Sequence, residues 1–237
     1  VVSGKFPDGI QFQKGKLSGN PTTQGVYSIK LQVKQNDKKV DQVYKLVVHG
    51  KNLAQSASNI LANVRYTDTA KRDSMWLTVP RSLYADSIDV IRDGKRLGNG
   101  STFYSISNDP SKKVDYYGYE WDESQTIGLL GYHTGSVEEN GGWFTSLNVE
   151  YRNEDGHWRS VEDLLIYPPI PKGEERFNRP HFVEYLLAFK QVQTTAVRII
   201  GYAGAAKHWY SEFTRFTSIT ELSVHGQLSD YEILENQ

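Results

Sequence analysis

The chain has 237 residues, with 27 lysines and arginines against 28 aspartates and glutamates, so its formal net charge is −1. Proteins that bind nucleic acid or acidic membranes carry a clear basic excess, so this balance favours neither partner. The sequence contains no cysteine, which excludes disulfides, thiol chemistry and cysteine-bound zinc. No apolar run approaches the roughly 20 residues of a transmembrane helix. Aromatic residues are abundant at 12%, which is typical of an aromatic β core or of rings displayed for stacking.

The first fifty residues predict short strands separated by turns. Pro7-Asp8-Gly9 and Ser18-Gly19-Asn20-Pro21 are turn sequences. Between residues 25 and 33, apolar and polar residues alternate with the period of a half-buried strand. Asn36-Asp37 predicts a hairpin turn, and residues 43–48 predict the strand that follows it.

The remainder of the chain also predicts strands, after one short helical turn or irregular arm over residues 53–64. No amphipathic helix of three turns is evident. Short strands separated by Gly, Asn and Asp turns are typical of a β-sandwich or barrel. Strands are predicted over residues 76–79, 88–91, 103–106, 126–132, 147–151, 157–161, 183–189, 196–200 and 218–224.

The first unit resembles the small immunoglobulin-like modules that lie between domains of bacterial surface proteins. The resemblance rests on Phe6 to Ile10, Lys16 to Thr22 and Gly25 to Ile29. It implies a spacer domain over residues 1–50. An ordinary β hairpin is the alternative interpretation.

The second unit contains seven blocks with a recognisable family pattern. They are Ile91-Arg92-Asp93-Gly94, Tyr117 to Asp122, Gly141-Gly142-Trp143-Phe144, Leu147 to Arg152, Gly156 to Val161, Val197 to Gly201 and Phe216 to Leu222. With these blocks the unit resembles a discoidin domain, the coagulation factor V/VIII type C fold, whose bacterial members include the family 32 carbohydrate-binding modules. The resemblance implies a jelly-roll β-sandwich over residues 51–228, with a tail over 229–237. The predicted fold class is therefore all-β, a small immunoglobulin-like domain followed by a discoidin-like jelly roll.

The discoidin resemblance further implies a structural calcium ion held by Asp93 and Glu221. Calcium binds about six to eight oxygens, many of them backbone carbonyls, which a Gly- and Asn-rich segment can supply. This sequence departs from the family where Lys95 and Arg96 follow Asp93-Gly94, because nearby cations weaken a calcium site. A turn aspartate and a strand-edge carboxylate are the alternative interpretations of the two acids.

A sugar site needs aromatic rings that stack on the apolar face of the sugar and planar polar groups that bind its hydroxyls. In a β-sandwich such groups come from loops at one end, since strand residues are committed to the core. Three segments, 108–119, 133–144 and 202–216, have this mixture. The predicted carbohydrate-binding residues are Trp209, His208, Tyr210, Arg215, Tyr116, Tyr117, His133, Asn140 and Trp143.

The sequence offers little support for an enzymatic function. The sequence has no Gly-x-Ser-x-Gly elbow, no His-Glu-x-x-His zinc helix and no phosphate-binding Gly-x-x-x-x-Gly-Lys loop. Glu138 and Glu139 are adjacent, and adjacent strand residues face opposite ways, so they do not flank one glycosidic bond. No catalytic residue is predicted.

We therefore predict a non-catalytic carbohydrate-binding fragment of a larger bacterial protein, secreted or on the cell surface, whose parent is a glycan-degrading enzyme. The chain starts at Val1 without an initiator methionine, which indicates a fragment. The predicted partners are a glycan or polysaccharide and other domains of the same polypeptide, with no nucleic acid and no membrane-spanning segment. The alternative is a structural or protein-adhesion module whose aromatic loops pack on a neighbouring domain. A lipid-inserting version with Trp209 and Phe213 at a loop tip also stays open.

Overall fold

The computed structural model describes residues 1, 3–35, 38–63, 85, 87–97, 100–105, 114–138, 141–171, 179–204 and 216–226. Over these residues the chain forms strands, with short 3₁₀ turns at Ala54–Ser56 and Ile88–Arg92, which confirms the predicted all-β class. The strands are β1 (Ile10–Gln13), β2 (Lys16–Gly19), β3 (Gly25–Gln35), β4 (Lys38–Val48), β5 (Asn59–Ala62), β6 (Phe103–Tyr104), β7 (Val114–His133), β8 (Asn148–Arg152), β9 (Trp158–Ser160), β10 (Leu165–Tyr167), β11 (Glu184–Tyr202), β12 (Ser218–Ile219) and β13 (Glu221–His225).

Two long antiparallel strands, β7 and β11, form the centre of the sandwich. The sheet order is β13-β7-β11-β8-β9, with β5 also paired to β7 and β10 to β11. The register between β7 and β11 breaks after Ala188 and again after Thr194. These bulges bend both strands, as bulges commonly do. One half of the pair therefore carries β10 and β13, the other half carries β5, β8 and β9, and their inner faces share one core.

Buried tyrosines account for much of the aromatic content and tie the two halves together. Tyr119 is fully buried and donates its hydroxyl to the carbonyls of Ile91 and Leu222, at 2.8 and 2.9 Å. Tyr132, also buried, donates to the carbonyl of Ser218 at 2.7 Å. A buried tyrosine adds a large apolar ring to the core provided that its hydroxyl finds such a partner. These hydroxyls therefore link β7 to the last segments of the chain.

The prediction of a strand over residues 88–91 is wrong, because Ile88–Arg92 forms a 3₁₀ turn. Ser87 Oγ accepts the Asp89 amide at 3.2 Å, which caps the start of the turn. Arg92 donates to Asp89 Oδ1 at 2.9 Å across the same turn. The apolar residues of this segment face the core at helical spacing, and a run of five residues is too short for periodicity to distinguish the two structures.

Tyr116 and Tyr117 lie inside β7 and not in the loop predicted over residues 108–119. β7 begins at Val114 and so contains the predicted strand 126–132 as its last part. Residues 59–62, predicted as a helical turn or an arm, form β5 beside β7. The predicted strand over residues 76–79 lies outside the described residues.

The first fifty residues form two hairpins, β1–β2 and β3–β4. The second hairpin reaches the sandwich through Lys45, whose Nζ lies 3.6 Å from the centroid of the Tyr167 ring. His49 then packs on His225 with ring centroids 4.2 Å apart. The immunoglobulin-like identity of this unit and the boundaries at residues 50 and 228 stay predictions. Within the described residues, no helix has the length and apolar character needed to cross a membrane.

Candidate functional site

The densest group of predicted sugar ligands lies in segment 205–215. Its members His208, Trp209, Tyr210 and Arg215 lie outside the described residues, as does Asn140. The residues that flank the segment are described, and they form what we call its closed base: Gly204 donates its amide to the Trp143 carbonyl at 2.9 Å, and Gly142 donates to the Phe216 carbonyl at 2.8 Å. Both ends of the segment are therefore held by the same stretch of chain, residues 142–143.

Glycines make this base possible. Gly142 has a φ of +108°, and a Cβ at this position would lie 2.8 Å from the Ser136 carbonyl oxygen. A Cβ on Gly204 would lie 1.9 Å from Trp143 Nε1, because the indole packs directly on the Gly204 backbone. Glycine is the residue that tolerates both positive φ and such close approach.

Trp143 and Tyr117, two of the predicted sugar-stacking rings, belong to the core beneath this base. Their exposed fractions are 3% and 0%. The Arg179 guanidinium lies 5.9 Å from the Trp143 ring centroid, and Tyr117 meets Phe144 edge to face at 6.4 Å. The prediction that these two rings contact sugar is therefore wrong, because a buried ring has no face free for a ligand.

A buried polar network fixes the second end of the segment. Thr217 Oγ1 donates to Asp115 Oδ2 at 2.8 Å, and Ser105 Oγ donates to the same oxygen. The Thr217 amide donates to Ser105 Oγ at 2.8 Å, and the hydroxyls of Tyr117 and Thr217 are also 2.8 Å apart. No local sequence signal pointed to this network, because Asp115 lies in a segment that was predicted as a polar loop.

The ring best placed to meet a ligand is Tyr202, the last residue of β11, which the sequence analysis did not select. It is 54% exposed, and its carbonyl accepts the Thr145 amide at 2.8 Å. Tyr202 pairs with Val114, while Tyr116 pairs with Ile200, so the two tyrosines are diagonal neighbours on the outer face of the sheet. Its only sequence signal was its place as the first residue of the predicted binding segment 202–216.

Tyr116 is half-buried and already packs against a cation. The Arg198 guanidinium lies 4.7 Å from its ring centroid and 4.0 Å from that of Trp158. Glu150 Oε2 accepts from Arg198 Nε and Nη2 at 2.9 and 2.7 Å. These contacts of Arg198 orient the Tyr116 ring beside Tyr202. The assignment of Tyr116 as a sugar ligand stays a prediction.

His133 lies elsewhere, in an ionic cluster on three adjacent strands. Its neighbours across the sheet are Glu184 on β11 and Glu221 on β13. His133 is buried, and its Nε2 lies 3.1 Å from Glu184 Oε1, which Arg96 also approaches at 3.4 Å. The His133 side chain is the main reason that the pKa of Glu184 lies below its usual value. His133 thus faces Glu184 in the sheet, away from Tyr202, and its assignment as a sugar ligand stays a prediction.

The two predicted calcium ligands are brought together at the edge of this cluster. Glu221 Oε2 accepts the Gly94 amide at 3.0 Å, and Asp93 Oδ1 accepts the Lys95 amide at 2.7 Å. Burial is the main cause that raises the pKa of Glu221 to about 7, and the charge of Asp93 raises it further. A buried carboxylate beside a second one is a place where a cation is favourable.

Asp93 and Glu221 supply carboxylate oxygens, the kind of ligand that calcium prefers. Within the described residues, however, no group of three or more His, Asp or Glu side chains could hold a metal. Calcium at this place would therefore depend on carbonyl and hydroxyl oxygens in addition to Asp93 and Glu221.

A separate cleft of about 490 Å³ opens where β11 bends away from β8. It is lined by Tyr151, Val192 and Gln193, with the Glu162–Lys190 ion pair at 2.7 Å on one wall. Most of the second half of β11 separates it from Tyr202.

The comparisons with known proteins find no match among protein-family models or curated proteins. Solved structures do match. The module CpGH89CBM32-5 from Clostridium perfringens, in complex with GalNAc-β-1,3-galactose, is 16% identical with a TM-score of 0.44, covering 74% of this chain and 100% of that one. A structure of the Streptococcus pneumoniae β-galactosidase BgaA is 16% identical with a TM-score of 0.46, covering 75% and 99%.

A third match is the family 32 carbohydrate-binding module of Clostridium perfringens NanJ in complex with galactose. It is 15% identical with a TM-score of 0.44, covering 73% of this chain and 96% of that one. Family 32 modules are the bacterial group that the sequence motifs resemble. The likeness to them concerns the fold alone.

Proposed function

We propose that this chain is a non-catalytic carbohydrate-binding module whose site lies at the Tyr202 end of the sandwich. The observation that carries the proposal is the position of Tyr202, an exposed ring on a fixed backbone at the closed base of the aromatic segment 205–215. Trp209, His208, Tyr210 and Arg215 would complete the site from that segment.

The chemistry follows from the arrangement of rings. A sugar stacks its apolar C–H face on an exposed tyrosine or tryptophan, and amide, imidazole and guanidinium groups bind the hydroxyls at its rim. Such a shallow and wet site buries little area, so we expect dissociation constants of roughly 10 µM to 1 mM. Binding of this strength retains a larger protein at a glycan surface without altering the sugar. We propose that the larger protein is a secreted or surface-attached bacterial enzyme that degrades glycans.

We also propose a structural calcium ion at Asp93 and Glu221. The proposal is supported by the raised pKa of Glu221 and by the contact between its carboxylate and the Gly94 amide. A cation there would tie the 3₁₀ turn at Ile88–Arg92 to β13. The ion would stabilise the fold and take no part in contact with sugar.

A glycan array tests the function and the site together, with Tyr202→Ala and Trp209→Ala beside the unaltered protein. The array includes galactose- and N-acetylgalactosamine-terminated glycans, the sugars held by the solved structures above, with unrelated polysaccharides for contrast. Leu165→Ala is the control, because Leu165 is 51% exposed and lies on β10, away from Tyr202. We expect Tyr202→Ala and Trp209→Ala each to weaken binding at least about tenfold, as the loss of a stacking ring predicts.

The outcomes separate the site from the function. Binding that survives both substitutions would reject this site, and Tyr151→Ala in the separate cleft would then be the next variant. If the unaltered protein binds no glycan on the array, the carbohydrate function is contradicted. The alternative of a structural or adhesion module would then take its place.

A further inference from the structure

The strand β4 is exposed from Lys38 to Lys45, and on its outer edge Gln42 Nε2 donates weakly to the Val43 carbonyl, at 3.4 Å. Among the described residues, β4 pairs only with β3, over eleven residue pairs. On the opposite edge, Lys30 of β3 exchanges backbone hydrogen bonds with Ser3, at 2.9 and 3.5 Å. The N–H and C=O of Lys30 thus point away from β4. In an antiparallel pair, the backbone groups of two opposite residues either both face the partner strand or both face away from it. Because Val43 is opposite Lys30, its N–H and C=O point away from β3.

The hairpin also carries an apolar surface that its own two strands do not cover. Val33 pairs with Val40 and Ile29 with Tyr44, so these four residues share one face. Val33, Val40 and Tyr44 are 68%, 64% and 52% exposed. A two-stranded ribbon is marginally stable in water, and an open edge next to apolar side chains accepts a further strand. The edge therefore fits an extended partner with alternating apolar residues.

We propose that this partner is β4 of a second copy of the chain, paired antiparallel about a two-fold axis at Val43. Val43 is the middle residue of Lys38–Val48, so this register pairs all eleven residues of the strand. It sets Val40 of each copy opposite Leu46 of the other and continues the apolar face across four strands. In this register, Val43 and every second residue from it point their backbone N–H and C=O groups towards the second copy, so the two β4 strands can form hydrogen bonds with each other.

Charge selects this register over its neighbours. Centred on Val43, the pairing places Asp41 of each copy opposite Lys45 of the other. Moving the axis to Asp41 or to Lys45 sets like charges face to face, and moving it to Gln42 sets Lys39 opposite Lys45. Moving it to Tyr44 sets Asp41 opposite Val47 and Lys45 opposite Val43, so the attraction between Asp41 and Lys45 is lost. Like charges directly opposite are destabilising in a sheet, whereas opposite charges stabilise it.

The side chains that the pairing needs are already aligned. Lys30 Nζ holds Asp41 Oδ2 at 2.7 Å, so a lysine from the second copy would join an existing ion pair. Lys45 Nζ now lies over the Tyr167 ring of its own chain, which fixes its stem beside the edge. The resulting dimer would present two sandwiches, and it does not depend on what those sandwiches bind.

Cysteine substitution tests the register directly, because the chain contains no cysteine of its own. In a hydrogen-bonded antiparallel pair the two Cα atoms are about 5.5 Å apart, a separation that a disulfide spans. We expect Val43→Cys to form a covalent dimer under mild oxidation. Val33→Cys is the matched control, an even more exposed valine on β3 that the proposed axis does not bring near its copy.

A proline substitution tests the edge without breaking the hairpin. The Val43 amide faces away from β3, so Val43→Pro removes no hydrogen bond within the chain, and proline is tolerated on such an edge. We expect it to weaken dimerisation at least about thirtyfold, since the symmetric pair loses two hydrogen bonds. Sedimentation equilibrium of the full chain over a range of concentrations measures this, with circular dichroism to show that the fold is retained.

Reversing the charges of Asp41 and Lys45 tests the proposed ion pair between the two copies. We expect Lys45→Glu to weaken the dimer and the double variant Asp41→Lys with Lys45→Glu to restore it. A protein that stays monomeric at every concentration would overturn the proposal. Disulfide formation by Val33→Cys as readily as by Val43→Cys would overturn it as well. A glycan-array failure leaves the dimer unaffected, so the two proposals fail separately.

Discussion

Glu221→Gln is the substitution that most directly tests the electrostatics of the predicted calcium site. Glu221 is 2% exposed and accepts the Gly94 amide at 3.0 Å. Burial raises its pKa in the folded protein from the usual 4.5 to about 7. Without a cation, the folded chain therefore retains a proton that the unfolded chain has released. The stability from this group is full below pH 4.5 and is lost as the pH rises through 7.

The magnitude follows from the size of that pKa change. A rise from 4.5 to about 7 corresponds to roughly 3 kcal/mol, because one pKa unit is worth about 1.4 kcal/mol. Glutamine cannot ionise, and its carbonyl oxygen still accepts the Gly94 amide. Its buried NH₂ group needs a new acceptor, at a cost of about 1 kcal/mol. We expect Glu221→Gln to be about 2 kcal/mol more stable than the unaltered protein at pH 8 and slightly less stable at pH 4.

Urea unfolding between pH 4 and pH 8 in the presence of a chelator measures this difference. Added calcium should reverse the order at pH 8, since a ligand at about 100 times its dissociation constant stabilises the folded state by about 2.7 kcal/mol. Glu221→Gln should gain little stability from added calcium. Glu184→Gln is the matched control on β11, on the other side of β7, because the folded-state pKa of Glu184 is lowered and its removal changes the slope in the opposite sense. If Glu221→Gln leaves the pH dependence unchanged, the burial reasoning is refuted.

Two further predictions concern stability. His225 is buried, and burial, with a smaller effect from His49, lowers its pKa from 6.5 to about 4. The folded protein then binds fewer protons than the unfolded chain, so the stability from this group is full above pH 6.5 and is lost as the pH falls towards 4, by up to roughly 3 kcal/mol. His225→Gln should flatten that acid limb in urea unfolding, and an unchanged limb would contradict it. Gly204→Ala should cost about 1–3 kcal/mol, because a Cβ there would lie 1.9 Å from Trp143 Nε1. Calorimetry measures this loss, and an unshifted melting temperature would show that the indole moves aside.

Period-two alternation was sufficient to predict most of the sheet. The apolar residues of β8 and of the second half of β11 point inward as their alternation predicted, with Val149, Val197 and Ile199 fully buried. The segment 88–91 failed, because a short apolar run fits a 3₁₀ turn as well as a strand and the Ser87 cap favours the turn. β7 was predicted too short because its tyrosines were assigned to a displayed loop.

The rings of the candidate site were harder to place than the strands. Trp143 and Tyr117 share the composition of a binding loop with Tyr202, yet only Tyr202 is exposed. Whether an aromatic side chain faces solvent depends on what packs over it, here Gly204 on Trp143 and Phe144 on Tyr117. Those neighbours lie far away along the chain, so no local pattern reveals them.

The sequence by itself determined the class of fold, because this follows from local alternation and turn chemistry. The association of Asp93-Gly94 with Glu221 was implied by the resemblance to discoidin domains, and the structure brings these residues together. Only the tertiary structure decided which rings are buried, that His133 lies beside Glu184, and that β4 pairs with no strand but β3 among the described residues. Burial, pKa and free backbone groups are properties of neighbours brought together by folding. A residue's own type does not specify them.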